Sequence, residues 1–473
     1  MSITVRKATA ALLATGLFAF SGAAMATNGY FTHGVGTESK GMAGSGVGSP
    51  ENLGGIAAAT NPALGVFADE KWQVGIAIFS PMRSYTASDS VIQGQGGAFT
   101  LSAGEYDSDN EAFPIPFIAK NWVFDSGMAM SFVFYGRGGM NTEWNGDQRA
   151  FFDPTGMGGS PPPGGIPGLY GGGLFGAEFT TAGVDLLQAF SSLNFAWKVS
   201  DKLAVGFGPV VAIQMFEATG LPVFGSYSQT FADAFLQNGM GAPVTSLTNN
   251  GHDMSTGYGF SVGLWGGSES FSYGLAYQST LSMSDLDDYS DLYAESGGFD
   301  IPSTIKGGIS FAVGDAARIN LDVERVGYSD VDSVHNSISN LFTGCFIVNP
   351  SVAPETSGCL GGPNGAGFGW QDVTVYKAGL SYRSSERNTW RMGFSYGEQP
   401  IPSSEVLFNI LAPGVMETHV TVGMTSERPS GNVMSWSLMY APKKTVTGTS
   451  AFDPTQSIKL EMTQLELEFA YRF

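Results

Sequence analysis

Residues 465–473 read LELEFAYRF. Leu465, Leu467, Phe469, Tyr471 and Phe473 alternate with Glu466, Glu468, Ala470 and Arg472. A period of two puts the apolar set on one face of a strand and the charged set on the other. In a soluble protein the apolar face meets a core. In a membrane barrel it meets lipid, and the charged face meets the lumen. One strand leaves both open, so the rest of the chain must decide.

Fourteen runs of this kind can be read, at about 71–80, 113–121, 127–137, 189–199, 203–215, 258–265, 271–279, 304–313, 318–327, 373–383, 390–397, 417–425, 432–440 and 459–473. Met128, Met130, Phe132 and Phe134 share one face, as do Leu193, Phe195, Trp197 and Val199, and Phe271, Tyr273, Leu275 and Tyr277. The connections alternate short and long without exception. Short ones lie near Phe124–Ser126, Ser200–Lys202, Gly266–Ser270, Gly314–Ala317, Ser384–Thr389 and Ser426–Gly431. Long ones cover about 81–112, 138–188, 216–257, 280–303, 328–372, 398–416 and 441–458. Short periplasmic turns, long external loops and an even strand number belong to outer-membrane barrels, and a soluble sandwich has no reason for such alternation. The expectation is an all-β, 14-stranded antiparallel transmembrane barrel spanning residues 68–473. Its last strand must pair with its first to leave no edge. The terminal Phe473 resembles the signal by which the barrel assembly machinery recognises such chains.

Composition agrees. The chain is 43% hydrophobic and 12% aromatic, yet only 14% charged, against about 25% in soluble proteins. After the N-terminus no run of 18 apolar residues occurs, so no transmembrane helix is expected. Residues 1–26 read as a signal peptide: Arg6 and Lys7, the apolar stretch Ala8–Phe20, then Ala24-Met25-Ala26 as the cleavage site. That places the chain outside the inner membrane, and the barrel places it in the bacterial outer membrane. The net charge is −20, which excludes nucleic acid as a partner. Cys345 and Cys359 fall in one Gly/Pro-rich stretch. In an exported protein a local disulfide is expected. Without a C-x-x-C motif, and with His335 alone nearby, no metal site is expected, and nothing calls for a cofactor.

Residues 27–67 stand apart. Between Asn28 and Phe67 lie ten glycines and three charged residues. So little bulk cannot build a domain core, and its place before the first strand suggests a segment folded inside the barrel. A phosphate loop is excluded, because no strand precedes Gly34-x-Gly36 and no Gly-Lys-Ser/Thr follows.

Asn28-Gly29-Tyr30, then Gly41-Met42-Ala43-Gly44, then Asn61-Pro62-Ala63 resemble the N-terminal hatch of the FadL/TodX family. These are outer-membrane transporters of long-chain fatty acids and other hydrophobic compounds. The resemblance implies a 14-stranded barrel, a small helical hatch that blocks the lumen, and a monomer among outer-membrane lipids. It implies that a hydrophobic small molecule binds among external loops, passes to an apolar lumen pocket, and leaves sideways through the barrel wall as the N-terminus moves. The wall opening would come from a kink in the third strand, where Gly136, Gly138 and Gly139 fall. The Gly/Pro tract in loop 138–188 and a short amphipathic helix at Phe231–Leu236 depart from a fatty-acid importer. Fatty acid, alkane and aromatic compound all stay open as substrates.

Inward positions opposite the apolar rows include Lys306, Asp322, Glu324, Lys377, Arg391, Glu466, Glu468 and Arg472. Ionisable groups in such a place normally pair with one another. One cation could instead meet a substrate head group, and Lys306, Lys377 and Arg391 are the candidates. Ala129, Ser131, Val133 and Tyr135 carry no charge, unlike the wet lining of an ion pore. A general-diffusion porin is therefore the weaker alternative. A barrel hydrolase is weaker still, since it would rest on His419 with Ser435 on the next strand.

Overall fold

A strand with one greasy face in lipid must satisfy its backbone with neighbouring strands, and only a closed ring does so for all of them. The computed structural model describes residues 28–51, 53–92, 99–124, 126–145, 150–151 and 181–473. The expected signal peptide and the Gly/Pro tract within 152–180 lie outside these residues. Fourteen antiparallel strands form the ring. They are β1 (Trp72–Ala87), β2 (Phe113–Val123), β3 (Met128–Asn145), β4 (Thr181–Ser200), β5 (Leu203–Thr219), β6 (Asp253–Gly267) and β7 (Phe271–Gln278). There follow β8 (Thr304–Val313), β9 (Ala317–Val326), β10 (Val373–Arg383), β11 (Asn388–Gly397), β12 (Thr418–Glu427), β13 (Val433–Thr449) and β14 (Ser457–Arg472). Each pairs with the next, and β14 closes on β1 from Gln73↔Arg472 to Ala87↔Ile458. The short strand Gly104–Asp107 pairs with β1, and Ser282–Met283 with β6.

The strand number and order match the expectation. The external ends do not. β3 runs on to Asn145 and β4 begins at Thr181, so both ends of the expected 138–188 loop are strand. Glycines at 136–139 do not end β3. Its ladder with β4 absorbs one extra residue between Gly136 and Gly138 and continues, as a β-bulge permits.

The alternation sorts the side chains as read. Ile78, Leu275 and Met392 are about half exposed on the outer wall, at 47%, 54% and 56%. Arg318, Asp322, Glu324, Glu466 and Arg472 are buried inside. External segments stack an aromatic layer over the mouth, with Phe224 5.3 Å from Phe99 and 5.6 Å from Phe408 between ring centroids. Among them is a helix at Gln229–Asn238, capped by the Ser228 hydroxyl, which accepts from Phe231 N–H at 3.2 Å. Cys345 and Cys359 form a disulfide in the same layer.

Candidate functional site

The described residues of 28–67 lie within the ring. They hold one four-residue helix (Thr37–Lys40) and two 3-10 turns (Gly55–Ala59 and Pro62–Phe67). So small a helical content cannot hold itself together, and the wall supplies the partners. Lys40 Nζ lies 3.0 Å from Glu466 and 2.6 Å from Glu468 on β14. The Thr37 hydroxyl donates to Glu468 at 2.6 Å. Thr421 on β12 accepts from Ala43 N–H and donates to the Gly41 carbonyl. Asp322 on β9 accepts from the N–H groups of Gly46 and Val47 at 2.7 and 2.9 Å. Asn61 caps the second 3-10 turn through Ala63 N–H, and its amide donates to Val47 and Leu264 carbonyls. Pro62 follows at the position where a missing N–H costs nothing. The loop Gly41–Gly44 lies directly on β11, where a Cβ on Gly393 would come within 2.2 Å of the Met42 backbone.

The tip, Asn28–Thr32, makes different contacts. Tyr328 donates its hydroxyl to the Asn28 carbonyl and accepts from Tyr30 N–H at 3.2 Å. Tyr30 packs on Tyr328, Trp370 and Phe31 with centroids 4.9–5.7 Å apart. Gly29 has φ +69°, and a Cβ there would sit 2.3 Å from the Tyr328 hydroxyl. Only glycine fits that place.

This tip fills a break in the wall. β2 and β3 pair from Val123↔Ala129 to Phe117↔Tyr135. Beyond that, Phe113–Pro116 form a ladder with β1 only and β3 from Gly136 forms a ladder with β4 only, among the described residues, until the Glu143 carbonyl accepts from Asp109 N–H at 2.9 Å. Pro114 and Pro116 supply no N–H. Since β2 keeps its ladder with β1 as far as Phe79↔Phe113, the missing donors fall on the β3 side. The free edge of β3 takes the tip instead. Gly139 N–H donates to Tyr30 carbonyl, Thr32 N–H donates to Arg137 carbonyl, and Phe31 bridges to Gly138. The Arg137 guanidinium lies over the Phe31 ring at 4.5 Å. Thus Gly136, Gly138 and Gly139 flank this break, next to Asn28, Gly29 and Tyr30. Gly41, Met42, Ala43, Gly44, Asn61, Pro62 and Ala63 seat the rest of the segment elsewhere on the wall. The two prolines carried a readable signal that the sequence reasoning passed over.

The three candidate cations separate. Lys306 and Lys377 converge on Glu324, at 3.2 and 2.6 Å, with Arg137 at 3.7 Å. Lys377 also donates to the His33 carbonyl at 2.7 Å. Arg391 is apart from them and bonds Thr425 on β12. A lumen cavity of about 20 Å³ touches Arg137, Lys306 and Gln278, room for about one water. A second cavity of about 40 Å³ lies under the external segments, lined by Leu221, Phe224, Tyr293, Phe368, Phe408 and other apolar side chains.

The His419–Ser435 pairing that a barrel hydrolase would need does not occur. Register sets Ser395 opposite His419, and those two share a hydrogen bond at 3.0 Å. Ser435 lies opposite Thr425 and donates to Glu38 at 2.9 Å. Among the described residues no three His, Cys, Asp or Glu side chains gather as metal ligands.

Residues 175–447 match the family of outer membrane protein transport proteins described as OMPP1/FadL/TodX. The structure is similar to the toluene transporter TodX of P. putida, at 14% identity and TM-score 0.60, over 93% of this chain and 98% of that one. It is similar to a FadL homologue of Pseudomonas aeruginosa, at 14% identity and TM-score 0.56, over 94% and 98%. The toluene transporter TbuX of Ralstonia pickettii aligns at 17% identity and TM-score 0.52, over 93% and 98%. No curated protein matches the chain.

Proposed function

The chain belongs to the FadL/TodX family of outer-membrane transport proteins, and from that premise we propose that it takes up hydrophobic small molecules through a gated opening in its own wall. The observation that carries the reading is the unpaired stretch between Phe113–Pro116 and the edge of β3 beyond Tyr135, occupied by Tyr30–Thr32. Neither edge of that break is sealed by a ladder, so an apolar solute can pass there into lipid without meeting bulk water. The hatch divides in two. Thr37–Ala63 is fixed by buried ionic and backbone contacts to several strands. Asn28–Thr32 is held by a few backbone bonds and aromatic contacts, and is the part that moves.

Lys306, Lys377 and Arg391 serve the lumen network in this reading. Each has a protein partner, and Glu324 gathers two of them. An uncharged substrate fits such a lumen better than a fatty acid carboxylate. That two of the similar structures are toluene transporters supports the same side.

Cells carrying the protein should accumulate toluene faster than cells lacking it, while ion conductance in a planar bilayer stays low. A large, steady open-pore current from the intact chain would defeat the reading in favour of a diffusion porin.

A further inference from the structure

One external segment touches both parts of the wall break. It connects β11 to β12 and holds two 3-10 turns, Ser403–Glu405 and Phe408–Ile410. Its Leu411 carbonyl accepts from the Thr142 hydroxyl at 2.8 Å, on the edge of β3 that β2 leaves free. Two residues earlier, Asn409 reaches the hatch tip through Trp370. Its side-chain oxygen accepts from the Trp370 indole N–H at 2.5 Å. Its amide donates to the Phe368 and Glu405 carbonyls at 2.7 and 2.8 Å. Asn409 is fully buried, so both ends of its side chain are committed to fixing this ring. The Trp370 backbone is held as well, with its N–H on the Val334 carbonyl and its own carbonyl accepting from His335 Nδ1 at 2.8 Å. The indole then meets the tip. Tyr30 packs on it, and a Cβ on Gly29 would lie 2.8 Å from it. Gly414, further along the same segment, closes in too: a Cβ there would come within 2.8 Å of the indole and 3.4 Å of the Gly29 Cα.

We propose that residues 403–414 are a latch over the break, and that Asn409 is its positioning residue, holding the Trp370 indole where the tip docks. The proposal rests on the uptake reading above and adds its regulation. A tip that docks on a held ring gives up only its own freedom. On a loose ring both must be ordered, and the docked state becomes more costly. The coupling runs both ways: a tip that leaves uncovers the indole and loosens the segment. The bond from Thr142 ties the segment to the wall, so one displacement frees the ring and the edge of β3 together. Phe408, beside Asn409, packs on Phe224 of the aromatic layer, so movement of that layer reaches the tip by this route.

The test uses the full chain in lipid nanodiscs and reads cleavage of the N-terminus by added protease, beside toluene uptake by cells. Asn409→Ala should raise the cleavage rate about five- to tenfold, the share of one neutral hydrogen bond in holding the ring. Uptake should rise with it. Trp370→Phe keeps a ring against Tyr30 and deletes the N–H that Asn409 accepts. It should give at least as large a rise, and it covers the case of an Asn409 variant that fails to fold. Adding Asn409→Ala to Trp370→Phe should change nothing further, because both break one link. Ser337→Ala is the control. It removes a hydroxyl that donates to Glu405 at 2.7 Å in the same external layer and leaves the bond between Trp370 and Asn409 in place, so cleavage should stay at the wild-type rate. An N-terminus that stays resistant in Asn409→Ala, or that Ser337→Ala exposes equally, overturns the latch. So does full additivity of Asn409→Ala and Trp370→Phe. Faster cleavage with unchanged toluene uptake supports the latch and defeats the uptake reading, so the two fail separately.

Discussion

Gly139 gives its backbone N–H to the carbonyl of Tyr30 at 3.0 Å, so a residue of the hatch tip stands where the neighbouring strand of the wall should be. The tip therefore seals the break by replacing β2 over a few residues. Its hold depends on Gly29, which lets the chain turn beneath Tyr328 and Trp370. Gly29→Val adds a side chain where a Cβ would lie 2.3 Å from the Tyr328 hydroxyl. The left-handed backbone alone costs a side chain about 1–2 kcal/mol, close to a tenfold shift away from the docked tip. Heat-modifiable migration should show an intact barrel, while the N-terminus becomes cleavable by added protease. An N-terminus as resistant as that of wild type would mean that the tip does not depend on this turn.

The prolines of β2 give an independent handle on the same break. Pro114→Val with Pro116→Val restores two N–H donors on the β3 side. Each new ladder bond contributes about 1 kcal/mol, so the pair favours a closed wall by about 2 kcal/mol, roughly thirtyfold. Toluene uptake by cells should fall by about that order while the barrel stays folded. Undiminished uptake would show that solute leaves by another route.

What could be read beforehand follows from where the physics is local. Lipid and lumen each impose a side on every strand, so rows such as Leu465 to Phe473 were legible residue by residue. The break was legible only in part. Gly136–Gly139 looked like a strand end, whereas the ladder with β4 carries β3 past them to Asn145. Partners across the lumen were out of reach. Asp322 was readable as an inward carboxylate, but nothing local says that it takes Gly46 and Val47. His419 shows the same limit. Its neighbour is set by register, and register chose Ser395 over Ser435.

Lys40 lies between Glu466 and Glu468, each 2% exposed, and ties Thr37–Lys40 to β14. Lys40→Met leaves two buried carboxylates without their cation. Breaking a buried pair in this way costs about 3–5 kcal/mol. The thermal midpoint should drop and ion conductance should rise as the hatch loosens. Adding Glu466→Gln and Glu468→Gln to Lys40→Met removes the stranded charge and should recover much of the lost midpoint. If the single variant melts like wild type, the hatch is seated by something other than this triad.

At the external rim His252 bridges two strands, with Asp185 of β4 at 3.0 Å and Glu217 of β5 at 3.1 Å. The hydrogen bond to Asp185 is the main cause that raises its pKa above the ordinary histidine value. A raised pKa means that the folded state holds the proton more tightly than the unfolded chain does. The stabilisation is therefore full below the ordinary histidine pKa of about 6.5 and is lost as pH rises through the higher folded value. The ring is partly exposed, so the contribution is modest. The midpoint difference between wild type and His252→Gln should be largest near pH 5.5 and shrink by pH 8.5, since glutamine carries no charge at either. Because carboxylates elsewhere titrate in both proteins alike, only the difference between the two isolates this bridge. A difference that stays constant, or grows toward pH 8.5, would mean that His252 holds the rim as a neutral ring and that its charge does no work there.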